Sequence, residues 1–323
     1  MAAVAPTLRE QLEVGRTLPA EWYSDPRVLD AELERIFGHS WQYAGVAERV
    51  AEPGQSFTCR AGVMPVVVVR DDGGAVRAFV GVAPHRRAQQ EVQIEAWGPL
   101  LFVNPDPAAP PLADVLGALP QVVRDRGLDP AELEYRGRSR EFVVNANWKL
   151  VVENYLECYH CPVAHKSFSR LIDVDPDTYE LATDRWTSSQ FGPVSERAVA
   201  GAARDLPYQP DGPIRSSQFH YVWPNCTFNT FPGPPNLRVL VFEPDGPDRT
   251  RTFVDGFWAR DTPDEVVEEI TAFGVVVGQE DVELVESVQQ GLQSGAVAQG
   301  RLMLGSEGLI QHFQLLVHDA LLL

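Results

Sequence analysis

The sequence predicts an α+β fold in which antiparallel strands are flanked by long helices. Three observations carry that expectation. Short β-branched runs such as MPVVVVR and VRAFVGV stand on either side of a hairpin signal, Asp71-Asp72-Gly73-Gly74. A second block of strands, Ser216–Phe231, Leu237–Pro244 and Thr250–Ala259, is divided by Pro232-Gly233-Pro234-Pro235 and Asp245-Gly246-Pro247-Asp248. Helical spacing surrounds both blocks.

In chain order, Asp30–Phe37 reads as a short amphipathic helix, and the text from Ser56 to about Val103 reads as strands. LLFVNPDP ends that block, and Pro105–Pro111, with four prolines in seven residues, is a loop or linker. One helix is expected over Leu112–Asp125, a strand over Arg138–Asn145 and another helix over Trp148–His160. After the second block of strands, Thr262 is the expected N-cap of a helix with Pro263 at its first position and Glu265 at its third. That helical region runs on through Gln279–Gln293. A boundary near Tyr135 divides the chain into residues 1–135 and 136–323.

Composition narrows the function classes. The 323 residues are 44% hydrophobic and 22% charged, and the formal charge is −18. An acidic surface of this kind repels phosphate backbones and anionic lipids, so nucleic acid and membrane surfaces are poor partners. The N-terminus has no apolar signal-peptide core, and runs such as Val66–Val69 and Val275–Val277 are too short to span a bilayer. Four cysteines in such a chain do not make a disulfide framework, which points to a reducing cytoplasm.

The chemistry concentrates in Asn147–Phe168, NWKLVVENYLECYHCPVAHKSF. If this stretch is helical to His160, then Glu153, Glu157 and His160 share one face. His165, five residues on, would point about 140° away in a straight helix. A bend at Pro162 would let both imidazoles meet one metal. Two imidazoles and a carboxylate on one octahedral face leave positions open for substrate and dioxygen at ferrous iron. Spacing alone leaves other readings open. The histidines could be satisfied structural residues, and Cys158-x-x-Cys161 could be a zinc or redox pair.

The stretch closely resembles the mononuclear-iron motif of Rieske non-haem iron oxygenases, the ring-hydroxylating α-subunit superfamily. That pattern is Glu-Asn, an acidic residue, Tyr-His, four residues and His. It looks most like the branch that oxidises betaine, choline, carnitine and related methylammonium compounds. HYVWPNCTFNTFPGPPNLRVLVFEP and GRLMLGSEGLIQHFQLLVHDAL read the same way, so the resemblance covers nearly everything from Arg138 onward. It implies a helix-grip antiparallel catalytic domain (START/Bet v1-like) after a truncated all-β Rieske-like domain. It implies Fe(II) on His160 and His165, with Asp281 of the C-terminal run QEDVELVE as third ligand. Asn154 and Glu157 become the candidate catalytic residues, Glu157 standing where the family's acidic residue bridges to a neighbouring subunit's cluster.

The sequence departs from the family at the cluster itself. A Rieske centre needs a Cys-x-His and a Cys-x-x-His pair. Here the first pair reads Gly81-Val82-Ala83-Pro84-His85-Arg86-Arg87-Ala88, and the second is missing. No 2Fe-2S cluster is expected in this chain, and His85 has no expected ligand role. The family's second electron must then come from a ferredoxin or Rieske partner docking near Glu157, from a full-length α-subunit, or from the substrate. The expected reaction is hydroxylation or oxidative N-demethylation of a small organic substrate with O2, in a homo-oligomer, by resemblance a trimer. Alternating aromatics Phe219, Tyr221, Trp223, Phe228 and Phe231 are candidates for a cation–π pocket. The competing classes are a non-catalytic or regulatory subunit and a metal enzyme doing non-redox chemistry.

Overall fold

The computed structural model describes residues 6–81, 90–202 and 212–322. The segment Val82–Gln89, which contains Ala83, His85 and Arg87, lies outside them. Helix α1 (Leu8–Glu13) starts at a capping box in which Thr7 and Glu10 satisfy each other's backbone N–H groups. Helix α2 (Pro26–Glu32) is capped by Asp25, and one wider turn carries it to Phe37. Six strands follow: β1 (Gln42–Val46), β2 (Ser56–Ala61), β3 (Met64–Arg70), β4 (Val76–Val80), β5 (Glu91–Trp97) and β6 (Leu100–Asn104). They form one antiparallel sheet in the order β1-β6-β5-β4-β3-β2.

The single helix expected over Leu112–Asp125 is two, α3 (Leu112–Leu116) and α4 (Leu119–Asp125). Gly117 breaks it with φ +53°, and Pro120 in the first turn of α4 has no N–H to continue α3. The second sheet contains β7 (Leu133–Val144), β8 (Glu180–Thr183), β9 (Thr187–Pro193), β10 (Ser216–Val222), β11 (Cys226–Thr230), β12 (Asn236–Gly246) and β13 (Arg249–Ala259). Its order is β7-β13-β12-β11-β10-β9-β8, antiparallel throughout. What reads in the sequence as one run, Ser216–Phe231, is therefore the hairpin β10–β11.

Helices α5 (Trp148–Tyr155), α6 (Cys161–Ala164), α7 (Phe168–Leu171), α8 (Asp264–Gln293) and α9 (Leu304–Leu322) complete the chain. The cap of α8 is Pro263, whose backbone is extended at ψ 142°, and not Thr262. Across its 30 residues α8 measures about 45 Å and lies along the second sheet. Among the described residues no helix is long and apolar enough to cross a membrane.

Strand alternation divides the second sheet's side chains between two cores. Leu237, Val239, Val241, Phe228 and Phe253 pack towards Trp41, Tyr43 and Phe102 of the N-terminal part. Tyr221, Trp223 and Phe242 face the helices, against Trp148, Val285 and Phe313. Polar groups pin the layers together. Asp255 accepts from Tyr43 at 3.0 Å and from Arg138 at 2.9 Å, and the fully buried Lys149 meets Glu32 at 2.6 Å.

Candidate metal centre

Asn147 begins α5 by accepting a hydrogen bond from the N–H of Lys149, while its own N–H donates to Gln289 on α8. Trp148, Leu150 and Val152 bury the helix. The helix ends at Tyr155, short of the His160 that spacing suggests. The reason lies in Glu157, whose carboxylate folds back to accept from the backbone N–H groups of Tyr159 and His160. After this turn comes α6, with Pro162 in its first turn where a missing N–H costs nothing. The bend thus precedes His160, and Pro162 lies in the first turn of α6.

Glu153 and Glu157 consequently do not share a face. Glu153 lies under α9, accepting from Tyr23 at 2.7 Å and Gln314 at 2.9 Å. Burial outweighs those hydrogen bonds and pushes its pKa up to about 7.

His160 and His165 flank the short α6 and turn inward to meet Asp281 on α8. The two Nε2 atoms are 3.0 Å apart, and Asp281 Oδ1 lies 3.3 Å from His160 Nε2 and 3.0 Å from His165 Nε2. One ligand atom from each of the three residues falls within 4.8 Å of the others, the one such group among the described residues. With bonds of about 2.1 Å, adjacent ligands on an octahedral ion stand about 3 Å apart, so the donor set fits a metal of that size.

Each imidazole is held from behind by a carboxylate. His160 Nδ1 contacts Glu157, and His165 Nδ1 is 2.8 Å from Glu280. Asn154 donates to Asp281 Oδ1 at 2.8 Å. Burial lowers the His160 pKa, but Asp281 and Glu157 more than offset it and raise it to about 9. His165 shifts upward in the same way, despite burial, through Asp281 and Glu280. Burial opposes ionisation of Asp281, yet the two histidines and Asn154 hold its pKa well below the usual carboxylate range. The centre favours the ionised carboxylate and commits the outer nitrogen of each ring, as metal-ligating histidines require.

Cys158 and Cys161 are joined as a disulfide, and neither belongs to the ligand group, which leaves the zinc reading without its sulfurs. Cys59 and Cys226 are free.

A cavity of about 180 Å³ opens onto the centre. Of the five aromatic candidates it is lined by Phe219 and Phe231, together with Tyr155, Phe168, Phe242 and Phe273. The other three lie elsewhere. Phe228 pairs with His220 across the β10–β11 hairpin, so it points to the opposite face from Phe219 and packs on Trp97. Tyr221 and Trp223 are buried against Phe313 of α9. Sequence reading missed Glu280 and Arg238. Helical neighbours diverge by about 100°, so nothing in the spacing signals that Glu280 and Asp281 grasp one ring. Arg238 did leave a signal, since it alternates with Leu240 and Phe242 on the face that lines the cavity.

The family described as ring hydroxylating alpha subunit (catalytic domain) matches residues 131–322, more than half of the chain. The chain belongs to the ring hydroxylating alpha subunit family. It is an oxidoreductase of the oxygenase kind, and catalytic domains of this family use a mononuclear iron. Choline monooxygenase, chloroplastic, of Atriplex hortensis is 28% identical over 358 residues, covering 94% of this chain and 78% of that protein. The carnitine monooxygenase oxygenase subunit of Escherichia coli (strain K12) is 26% identical, covering 90% and 88%. The first alignment, at 358 positions, is longer than the 323-residue chain, so that relative carries stretches this alpha subunit lacks.

Solved structures give the same fold. A quaternary ammonium Rieske monooxygenase in complex with an inhibitor superposes with a TM-score of 0.82 at 24% identity, covering 98% of this chain and 99% of that one. Naphthalene 1,2-dioxygenase from Rhodococcus sp. bound to indole gives 0.76 at 20%, covering 97% and 98%. Two antiparallel sheets, the second packed against α8 and α9, make up the fold that this alpha subunit shares with these structures.

Proposed function

We propose that this alpha subunit is a mononuclear iron oxygenase that hydroxylates or oxidatively N-demethylates a small organic substrate, with a quaternary amine as the leading class. The observation that carries it is the convergence of His160, His165 and Asp281, with separations of 3.0–3.3 Å that match one octahedral face. His160, His165 and Asp281 would hold a ferrous ion, which would supply redox chemistry and open coordination positions there. The protein's own residues do the rest. Glu157 and Glu280 fix the two rings, Asn154 fixes the Asp281 carboxylate, and the aromatic lining keeps bulk water from the substrate. An engineered cavity of about 150 Å³ binds benzene, so a space of about 180 Å³ suits a small molecule. The relatives named for choline and carnitine support the amine class.

The reading includes an electron donor outside this chain. A Rieske cluster takes two cysteines, whereas Cys59 is the sole cysteine before Cys158. A ferredoxin or Rieske protein, or a full-length α-subunit in a mixed oligomer, would deliver electrons near Glu157. One solved neighbour is described as showing inter-subunit electron transfer, which supports an oligomeric arrangement such as a trimer. The same reading divides the chain near residue 135 into a cluster-less N-terminal part and a catalytic part.

Anaerobic reconstitution with Fe(II) tests the proposal. The expected result is about one iron per chain, its loss in His160→Ala, no iron–sulfur absorption, and O2 uptake only when reductase and ferredoxin are added. A protein that stays metal-free overturns the oxygenase. Turnover without any donor overturns the partner route.

A further inference from the structure

Resting on the oxygenase reading, we infer that Arg238 is a specificity residue that anchors a carboxylate on the substrate, at the end of the cavity away from the metal centre. Arg238 is 7% exposed, and its side chain lines the cavity from β12 with Leu240 and Phe242. Its guanidinium carbon lies 5.8 Å from the centroid of Phe231, and among the described residues no other arginine or lysine lines this cavity.

Opposite stands Gly274 on α8. A Cβ placed there would fall 1.9 Å from Arg238 Nη1 and 2.6 Å from its Cζ. The missing side chain is what lets the guanidinium lie against the helix. Gly274 and Asp281 are seven residues apart, close to two full turns, so they share a face and stand about 10 Å apart along the axis. The cavity is therefore bipolar. Three carboxylates, Glu157, Glu280 and Asp281, surround the histidines at one end, and a guanidinium stands at the other.

A simple cation gains no hydrogen bond at the Arg238 end, because a guanidinium has donors and no acceptor. A carboxylate separated by a few carbons from the carbon to be oxidised fits both ends. The planar fork of a guanidinium offers five N–H donors and can hold a carboxylate with two of them while keeping another partner. The favoured substrate is thus a short-chain acid or a zwitterion, such as a trimethylammonio carboxylate, ahead of a quaternary ammonium alcohol.

Calorimetry on the iron-loaded protein without O2 tests this, with 4-(trimethylammonio)butanoate, hexanoate and choline as probes. Wild type is expected to bind both carboxylates at least tenfold more tightly than choline. Arg238→Gln should weaken both by about thirtyfold or more, because it removes one partner of a buried charge pair, and should leave choline unchanged or tighter. Gly274→Ala, a helix-favouring change, should weaken the carboxylates in the same direction by displacing the guanidinium. If Arg238→Gln does not fold, Arg238→Lys and Gly274→Ala carry the comparison, since lysine keeps the charge and loses the fork. Iron content, measured on every sample, reports on the oxygenase reading separately and should not change. Carboxylates that bind no better than choline, or that bind the variants as they bind wild type, overturn the inference.

Discussion

Replacing Glu280 by alanine isolates the support behind one ligand. Glu280 Oε2 holds His165 Nδ1 at 2.8 Å, and this fixes which ring nitrogen faces Asp281. Loss of such an outer partner typically costs 10- to 100-fold in metal affinity, about 1.4–2.7 kcal/mol. Two features set where this site falls in that range. The Glu280 side chain is 36% exposed, so water can take its place behind the ring, which favours the tenfold end. His165 itself is 3% exposed and packs on Phe168, so the ring stays near its position without the carboxylate. The expected loss is therefore about tenfold in Fe(II) affinity, with the thermal midpoint of the metal-free protein unchanged. Glutamine at 280 still accepts a hydrogen bond from Nδ1 and should recover most of the loss. Competition against a fluorescent chelator under anaerobic conditions measures all three proteins. Affinity within twofold of wild type for Glu280→Ala refutes the orienting role. A loss as complete as that of His165→Ala would make Glu280 a ligand in its own right and refute the assignment to Asp281.

Four further substitutions probe the frame around the site. Phe228→Ala should cost about 3–5 kcal/mol in urea unfolding and leave KM alone, whereas Phe219→Ala should raise KM, because only Phe219 reaches the cavity. Lys149→Met leaves Glu32 buried without its cation and should destabilise the fold by about 3–5 kcal/mol, and a loss below 1 kcal/mol would show the pair to be dispensable. The Glu153 carboxyl has a folded pKa raised to about 7, so the folded state holds a proton that the unfolded state releases near pH 4.5. Stability contributed by that proton is fully present below pH 4.5 and is lost as pH rises through 7, by up to about 3 kcal/mol. Glu153→Gln should remove that decline, read as the difference in urea midpoint between pH 5 and pH 8.

The convergence of His160, His165 and Asp281 was legible because two of the three are written as a local phrase. ENYLECYHCPVAH sets His160 and His165 around one turn, and QEDVELVE supplies the distant acid. Helical periodicity misled at the same place. A carboxylate four residues beyond Glu153 promises a shared face, but Glu157 finds a closer use in capping the N–H groups of Tyr159 and His160. Short-range side-chain capping competes with helix propagation, and a periodicity count does not weigh it. Gly117 and Pro120 divided the expected Leu112–Asp125 helix for a related reason, one residue taking positive φ and the other lacking a donor.

The lining of the cavity was less legible, and the reason is geometric. Period-two reasoning puts Phe219, Tyr221 and Trp223 on one face, which the structure respects, but it treats the face as uniform. Along β10 the covering layer changes from the cavity at Phe219 to α9 at Tyr221, where Phe313 fills the space. Which part of a face is empty depends on where α8 and α9 cross the sheet, and no residue of β10 encodes that. Phe228 shows the complementary failure. Its face depends on the β10–β11 register, in which His220 stands opposite Phe228, and a hairpin one residue different would have turned Phe228 inward. The site's polarity is set across elements too: Arg238 on β12 occupies space that Gly274 leaves on α8, seven residues before the acid that faces the histidines. A strand and a helix distant in sequence determine together what charge the cavity presents, and for that reason Gly274 is as good a place as Arg238 to change what the cavity accepts.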